Sequence, residues 1–332
     1  MPRLPFKCFI LASVFWSFVA ECLITDPLDR IERSVRLVFE EWPLEQTNVK
    51  DLAENNRENF AVAKHLHERL GAFHKNGDCP RCWLQKAHCV CQKCPPLEDI
   101  PVNPEIENAP IVSPLKNGGI DQIFVLTHHK EICMVVDTAK LIAASFPIST
   151  HIVVGGIGPQ FQRSMAEMQK CIRHNPSSCM VLFPSDEART FAEITHSIER
   201  NEINAPESGW NIIILDGTWE QARKLYQRYI CRERLGNKKN ESLVHLKLSE
   251  LSLVSILSND QVDGDVASHS MQLRRHPEQW RQISTLAATR LLLTEMIPGE
   301  RSLWDKLGDY QGIADKAARK QLGPVRLREI NQ

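Results

Sequence analysis

The chain has 332 residues, 42% hydrophobic and 24% charged, with 40 Lys plus Arg against 41 Asp plus Glu and a formal net charge of -1. That length and composition give one large or two ordinary globular domains with ample core, and exclude a fibrous, collagen-like or wholly disordered chain. The charge balance excludes nucleic-acid binding through bulk charge, so such a contact has to use a local basic face.

At the N-terminus, Arg3 and Lys7 precede an uncharged apolar run, Cys8 to Ala20, that ends at Glu21. The run is too short to span a bilayer comfortably and has the shape of a signal-peptide core, but no convincing small-x-small cleavage site follows it. Residues 1–25 are therefore a targeting segment, a mis-called start or a buried helix. No other segment approaches a membrane span, and no stable membrane partner is expected. From 27 to 75, the stretches Arg30–Trp42 and Leu52–Phe73 carry apolar residues at three- and four-residue spacings and predict a helical N-terminal region.

The chain has eleven cysteines, and Cys79, Cys82, Cys89, Cys91 and Cys94 crowd together while Cys8, Cys22, Cys133, Cys171, Cys179 and Cys231 are scattered singly. A secreted disulfide scaffold is short and cysteine-dense throughout, which this chain is not. Cys79-Pro-Arg-Cys82 and Cys89-Val-Cys91 present four thiolates in two chelating pairs, the soft tetrahedral set that zinc takes. With every position filled by sulfur, such a site at 79–94 is structural and not catalytic. Cys94, in a second CxxC with Cys91, is an alternative to Cys89, and His88 a lesser one. Six prolines between Pro95 and Gly119 mark a linker or an extended wrap.

From 120 to 298 short apolar runs alternate with helical stretches. Ile123–Leu126, His151–Val154, Cys179–Phe183, Ile212–Leu215 and Leu243–Leu248 read as strands. Thr138–Phe146, a segment opening at Ser185, Thr218–Tyr229 and Ser284–Met296 read as helices. Buried β-branched runs alternating with helices imply an α/β fold, a mainly parallel sheet with helices on both faces. The tail, 299–332, is mixed-charge and helical.

The most informative segment is Ile214-Leu-Asp-Gly-Thr-Trp-Glu-Gln-Ala-Arg-Lys-Leu-Tyr226. Asp216 falls at the C-terminal end of a buried strand, where open α/β sheets bind ligands. Gly217 permits a tight turn, Thr218 and Gln221 have capping-box spacing, and Trp219 offers a flat face to a base. The free N–H groups of such a helix start suit a carboxylate or phosphate. Phe183-Pro184-Ser185 and Ser284-Thr285-Leu286 repeat the strand-end or helix-start pattern, so three capped N-termini are expected to converge on one pocket. The plainer alternative is that Thr218 is only a cap, Trp219 core and Asp216 a turn residue.

These segments, in this order, resemble the DTW-domain family of tRNA-uridine aminocarboxypropyltransferases. The resemblance is carried by Cys79 to Cys91, His128-His-Lys-Glu131 with Asp137-Thr138, Leu182-Phe-Pro-Ser185, Leu215-Asp-Gly-Thr-Trp-Glu-Gln-Ala222, Ser268 to Arg274 and Ser284-Thr-Leu-Ala-Ala288. It implies a SPOUT-like fold with a knotted chain, against the usual rule on threaded connections. It also implies S-adenosylmethionine as the co-substrate, tRNA as the partner and structural zinc. By the same resemblance Asp216, Thr218 and Trp219 are the catalytic candidates. Phe183, Pro184, Ser185, Asp216, Gly217, Ser284, Thr285 and Leu286 are those for binding S-adenosylmethionine, and Cys79, Cys82, Cys89 and Cys91 for the metal. Two positions depart from the family pattern: Met271 replaces an aromatic residue and Ala287 a glutamate. The glutamate would complete a capping box with Ser284, so its loss has a reading in helix stability alone, about 0.5–1 kcal/mol. Arg223, Arg274 and Arg275 are candidate phosphate contacts. The alternatives are an rRNA-modifying relative, a SPOUT methyltransferase, a catalytically weak RNA-binding protein and a zinc-stabilised structural domain. An RNA-containing compartment (cytoplasm, nucleus or organelle) suits the reading, with residues 3–20 as the signal-like feature.

Overall fold

Runs of β-branched and aliphatic residues form a sheet because they fill a pleated surface from both sides, and a parallel sheet is covered on both. A computed structural model describes residues 27–41, 54–98, 113–155, 163–231, 243–259 and 283–330. Its strands are β1 (Ile120–His128), β2 (Thr150–Gly155), β3 (Cys179–Leu182), β4 (Trp210–Asp216) and β5 (Val244–Leu246). They lie in the order β2-β1-β4-β3-β5, and every neighbouring pair is parallel. All of β4 is buried, which is why its apolar run is continuous and not alternating.

Besides a single turn at Pro114–Asn117, the helices among the described residues are α1 (Pro27–Glu41), α2 (Glu54–Asn76), α3 (Lys140–Ser145), α4 (Arg163–His174), α5 (Phe191–Glu199), α6 (Trp219–Leu225), α7 (Glu250–Asn259), α8 (Thr285–Met296) and α9 (Arg301–Ile330). Gly323, at φ 68°, breaks α9 near its end. Strand alternation assigns the layers. Ile123, Val125, Ile212 and Ile214 pack with Leu286 and Leu293 of α8 and with Trp304 and Leu307 of α9. Phe124, Leu126, Ile213 and Leu215 face the other way, onto Met165 and Met168 of α4 and Ala222 and Leu225 of α6. A third cluster joins α1 and α2, through Leu28, Ile31, Leu66 and Leu70, to Ile152 and Val154 of β2.

The Pro-rich stretch is tied to the core at both described ends. Buried Glu98 accepts from the Ser113 hydroxyl (3.0 Å) and from the Ile148 and Ser149 N–H groups (2.7 and 3.2 Å), so both of its oxygens have partners inside. Residues 99–112 lie outside the described residues, as do the signal-like run at 3–20, Met271, Arg274 and Arg275. Among the described residues no helix is long and apolar enough to cross a membrane.

One expected helix start moves. Ser185 does not open a helix: the Ser185 N–H bonds Phe183 O and the Ala188 N–H bonds Ser185 O, making a turn. The helix begins at Phe191, where Thr190 and Glu193 form a full capping box with both reciprocal bonds. That box satisfies two N–H groups at once, which the acidic turn at Ser185 cannot do.

Candidate functional site

The C-terminal ends of β1, β4 and β3 meet at the Asp216 turn. Asp216 ends β4 opposite Thr127 of β1 and is 4% exposed. Its Oδ1 accepts from the Thr285 hydroxyl at 2.8 Å, so the first residue of α8 is tied to the end of the central strand. A charge-assisted bond of this kind is among the stronger ones and fixes the carboxylate rotamer. Gly217 follows at φ 145°; a Cβ there would lie 2.9 Å from Gln221 Oε1 and 3.4 Å from His128 Cβ, so only glycine fits the turn.

Thr218 does what its spacing predicts. Its hydroxyl accepts from the Gln221 N–H (3.4 Å) while its own N–H donates to Gln221 Oε1 (2.7 Å). The hydroxyl is thereby committed to capping α6 and shapes the turn. Ser284 is occupied in the same way, accepting from the Ala287 N–H (3.2 Å) and from Gln311 Nε2 of α9 (3.3 Å). Leu286 is wholly buried in the core, so of this segment Ser284 and Thr285 are the residues at the edge. Thus two capped helix starts, not three, flank Asp216.

Trp219 is not core. It is 37% exposed and stacks on Phe183 (centroids 5.5 Å apart, 13° between planes), which stacks in turn on Tyr226 (4.3 Å, 16°). Of the other residues singled out at this edge, Pro184 and Arg223 are exposed. His128, at the end of β1, is half-buried; burial lowers its pKa, and Lys130, Lys224 and His65 add to this against Glu131. Sequence reasoning missed Tyr226, His245 and Gln311 as neighbours of the site. The short β5 and the distance of α9 along the chain gave no periodic signal for them.

The cysteines form a separate centre. The Sγ atoms of Cys79, Cys82, Cys89 and Cys91 lie within 4.8 Å of one another. Cys79 to Cys91 is 3.5 Å and Cys82 to Cys89 is 3.8 Å. Four thiolates about a zinc at 2.3 Å are separated by about 3.8 Å, so the set fits a tetrahedral zinc. Hydrogen bonding from Cys91 draws the Cys82 thiol down to about 4, against the cost of burial, while Cys91 is pushed up by the same contact. Cys94 is outside this group and is buried in the main core, which raises its pKa to about 11. It is no substitute for Cys89, and His88 is not part of the group. The loop is wedged between layers, with Leu84 in the core under the sheet and Trp83 in the α1–α2 cluster.

The fold is thus a parallel α/β domain with a buried carboxylate and stacked aromatic rings at the C-terminal edge of its sheet and a separate four-cysteine loop. The chain belongs to the DTW-domain family: the model described as "DTW domain" matches residues 76–310. No curated protein and no solved structure matches it. Family membership suggests a transferase-type enzyme and is consistent with a tRNA-modifying or RNA-binding role.

Proposed function

We propose that the protein is a tRNA-uridine aminocarboxypropyltransferase. It moves the 3-amino-3-carboxypropyl group of S-adenosylmethionine to N3 of a uridine in tRNA and releases methylthioadenosine. The observation that carries the reading is the buried Asp216 carboxylate, held 2.8 Å from the Thr285 hydroxyl at the ligand edge of the sheet, within the Leu215-Asp-Gly-Thr-Trp219 motif. In the transfer, N3 bonds to the methylene carbon next to the sulfonium, the C–S bond breaks, and its electron pair returns to sulfur.

Asp216 is the group that takes the N3 proton, and Thr285 keeps its carboxylate aimed. Thr218 and Gly217 set the turn that presents it. The exposed face of Trp219 supports the uracil ring, since an unstacked RNA base needs an aromatic platform. The backbone at Phe183–Ser185, Gly217 and Ser284–Leu286 lines the place for the aminocarboxypropyl donor, and the arm's methylene, not the methyl, has to face N3. The four cysteines hold zinc for structure alone. The Ser284 cap is formed without the missing glutamate, so the departure at Ala287 leaves the start of α8 in place. The knotted SPOUT-like chain path and an RNA-containing compartment belong to the same proposal.

The test is reaction of purified protein with S-adenosylmethionine and unmodified tRNA, followed by nucleoside mass spectrometry. The expected product is a uridine heavier by one aminocarboxypropyl group, absent with Asp216→Ala. A methyl-sized gain would overturn the reaction, and cofactor binding with no product would leave the RNA-binding reading.

A further inference from the structure

Tyr226 and His245 lie outside the motifs at the reaction centre, and the fold brings them together behind Phe183. Tyr226 follows α6 directly, where the helix widens into a π-turn over Tyr226–Cys231. His245 is the middle residue of the edge strand β5 and is 5% exposed. The Tyr226 hydroxyl and His245 Nε2 are 2.7 Å apart, a short hydrogen bond, and His245 Nδ1 faces Glu187 at 3.9 Å. The two rings meet edge to face at 5.7 Å. Burial of the Tyr226 hydroxyl, followed by its contact with Cys231, pushes its pKa up to about 12, so it remains a neutral phenol.

The result is a column of three parallel rings, Tyr226, Phe183 and Trp219, anchored at its buried end and open at the other. A surface tryptophan alone changes rotamer freely and presents no fixed plane. Its plane is fixed here only as far as the rings beneath it are fixed, and the innermost ring is pinned by a polar bond that rules out sliding. π-Turns recur where a helix must aim one residue off its regular path, and this one aims Tyr226 at β5.

We propose that Tyr226 and His245 are positioning residues that fix the plane of the Trp219 face for a nucleobase of the RNA. This rests on the reading of Trp219 as the platform for the target base. The recognised chemistry is a flat, neutral RNA base stacked on an indole, a contact that leaves the binding of S-adenosylmethionine to other groups.

The test measures tRNA and S-adenosylmethionine dissociation constants separately, with KM and kcat, for the full chain and for Tyr226→Phe, His245→Leu, His245→Gln and Trp219→Ala. Tyr226→Phe keeps the ring and the packing and removes only the hydroxyl. It is expected to weaken tRNA binding and raise KM for tRNA about 3- to 10-fold, the range open to one neutral hydrogen bond. S-Adenosylmethionine binding and kcat stay within about twofold of wild type. His245→Leu should match it, and His245→Gln, whose amide can still meet the Tyr226 hydroxyl, should restore most of the loss. Equal weakening of both ligands, or a lowered melting temperature with KM unchanged, would overturn the inference. Were Trp219→Ala to bind tRNA normally, the platform reading itself would fall. Were Trp219→Ala to weaken it and Tyr226→Phe not, only the positioning role would.

Discussion

The cysteine loop and the Asp216 edge are built in opposite ways. The loop's four sulfurs come from within thirteen consecutive residues, 79–91, and two tight turns bring them together at little entropic cost. The Asp216 edge joins the end of β4 to Thr285, 69 positions later, and through Ser284 to Gln311 of α9. A locally closed site keeps its geometry wherever the loop is docked. A site assembled from distant strands and helices is only as good as the packing of the whole sheet. α9 joins the two: its Gln311 donates to Ser284, and its Gln321 accepts from the Gln85 N–H of the loop. Lys140, buried in α3, donates to the Met134 and Val135 carbonyls and lies over Trp83 of the loop, its pKa lowered by burial to about 8.

The sharpest way to break this comparison is to injure each region alone. Cys82→Ser should remove bound zinc and unfold the loop and the layers it wedges, since structural zinc sites contribute about 10 kcal/mol in small domains. Metal analysis and melting curves check this; a variant that kept its melting temperature without metal would show the loop to be ornamental. Asp216→Ala should do the reverse, keeping zinc and fold while kcat drops about 10²–10⁴-fold, as for a lost proton acceptor. Single-turnover rates read that loss.

The joint between the regions is tested by pH. Asp315 of α9 is held up at about 7 by burial, which outweighs the pull of Arg319 and Lys140. The folded protein therefore keeps a proton that the unfolded chain releases near 4. Stability should then fall as pH rises from about 4 to about 7 and level off above it, a term on the order of 4 kcal/mol. Asp315→Asn should flatten that fall and raise the melting temperature at pH 8; an unchanged slope would sink the assignment. The smallest effect is expected from Ala287→Glu, which completes the α8 capping box: about 0.5 kcal/mol of added stability with kcat unchanged. A rise in kcat would instead give that glutamate a place at the substrate.

The parallel sheet was legible because its strands announce burial on both faces, as the Ile212–Leu215 run does, and the grouping of the four cysteines because it depends on local spacing. The caps at Thr218 and Ser284 were legible for the same local reason. At Ser185 the same reasoning failed: the helix starts further on, where Thr190 and Glu193 make reciprocal cap bonds that the turn at Ser185 does not. The choice of Cys89 over Cys94 was likewise open in sequence: both spacings chelate, and only the folded loop shows which four sulfurs lie within 4.8 Å of one another.

Everything that rests on neighbours along the chain was readable from residue order: strand and helix periodicity, the four-cysteine spacing, the glycine turn after Asp216, and the caps. Which of those features meet was fixed by folding. Thr285 on Asp216, Tyr226 against buried His245, Gln311 under Ser284 and the stack on Trp219 all join residues from different elements. Their pairing carries no period in sequence, because it is fixed by how the sheet orders its strands and where the helices close over its faces.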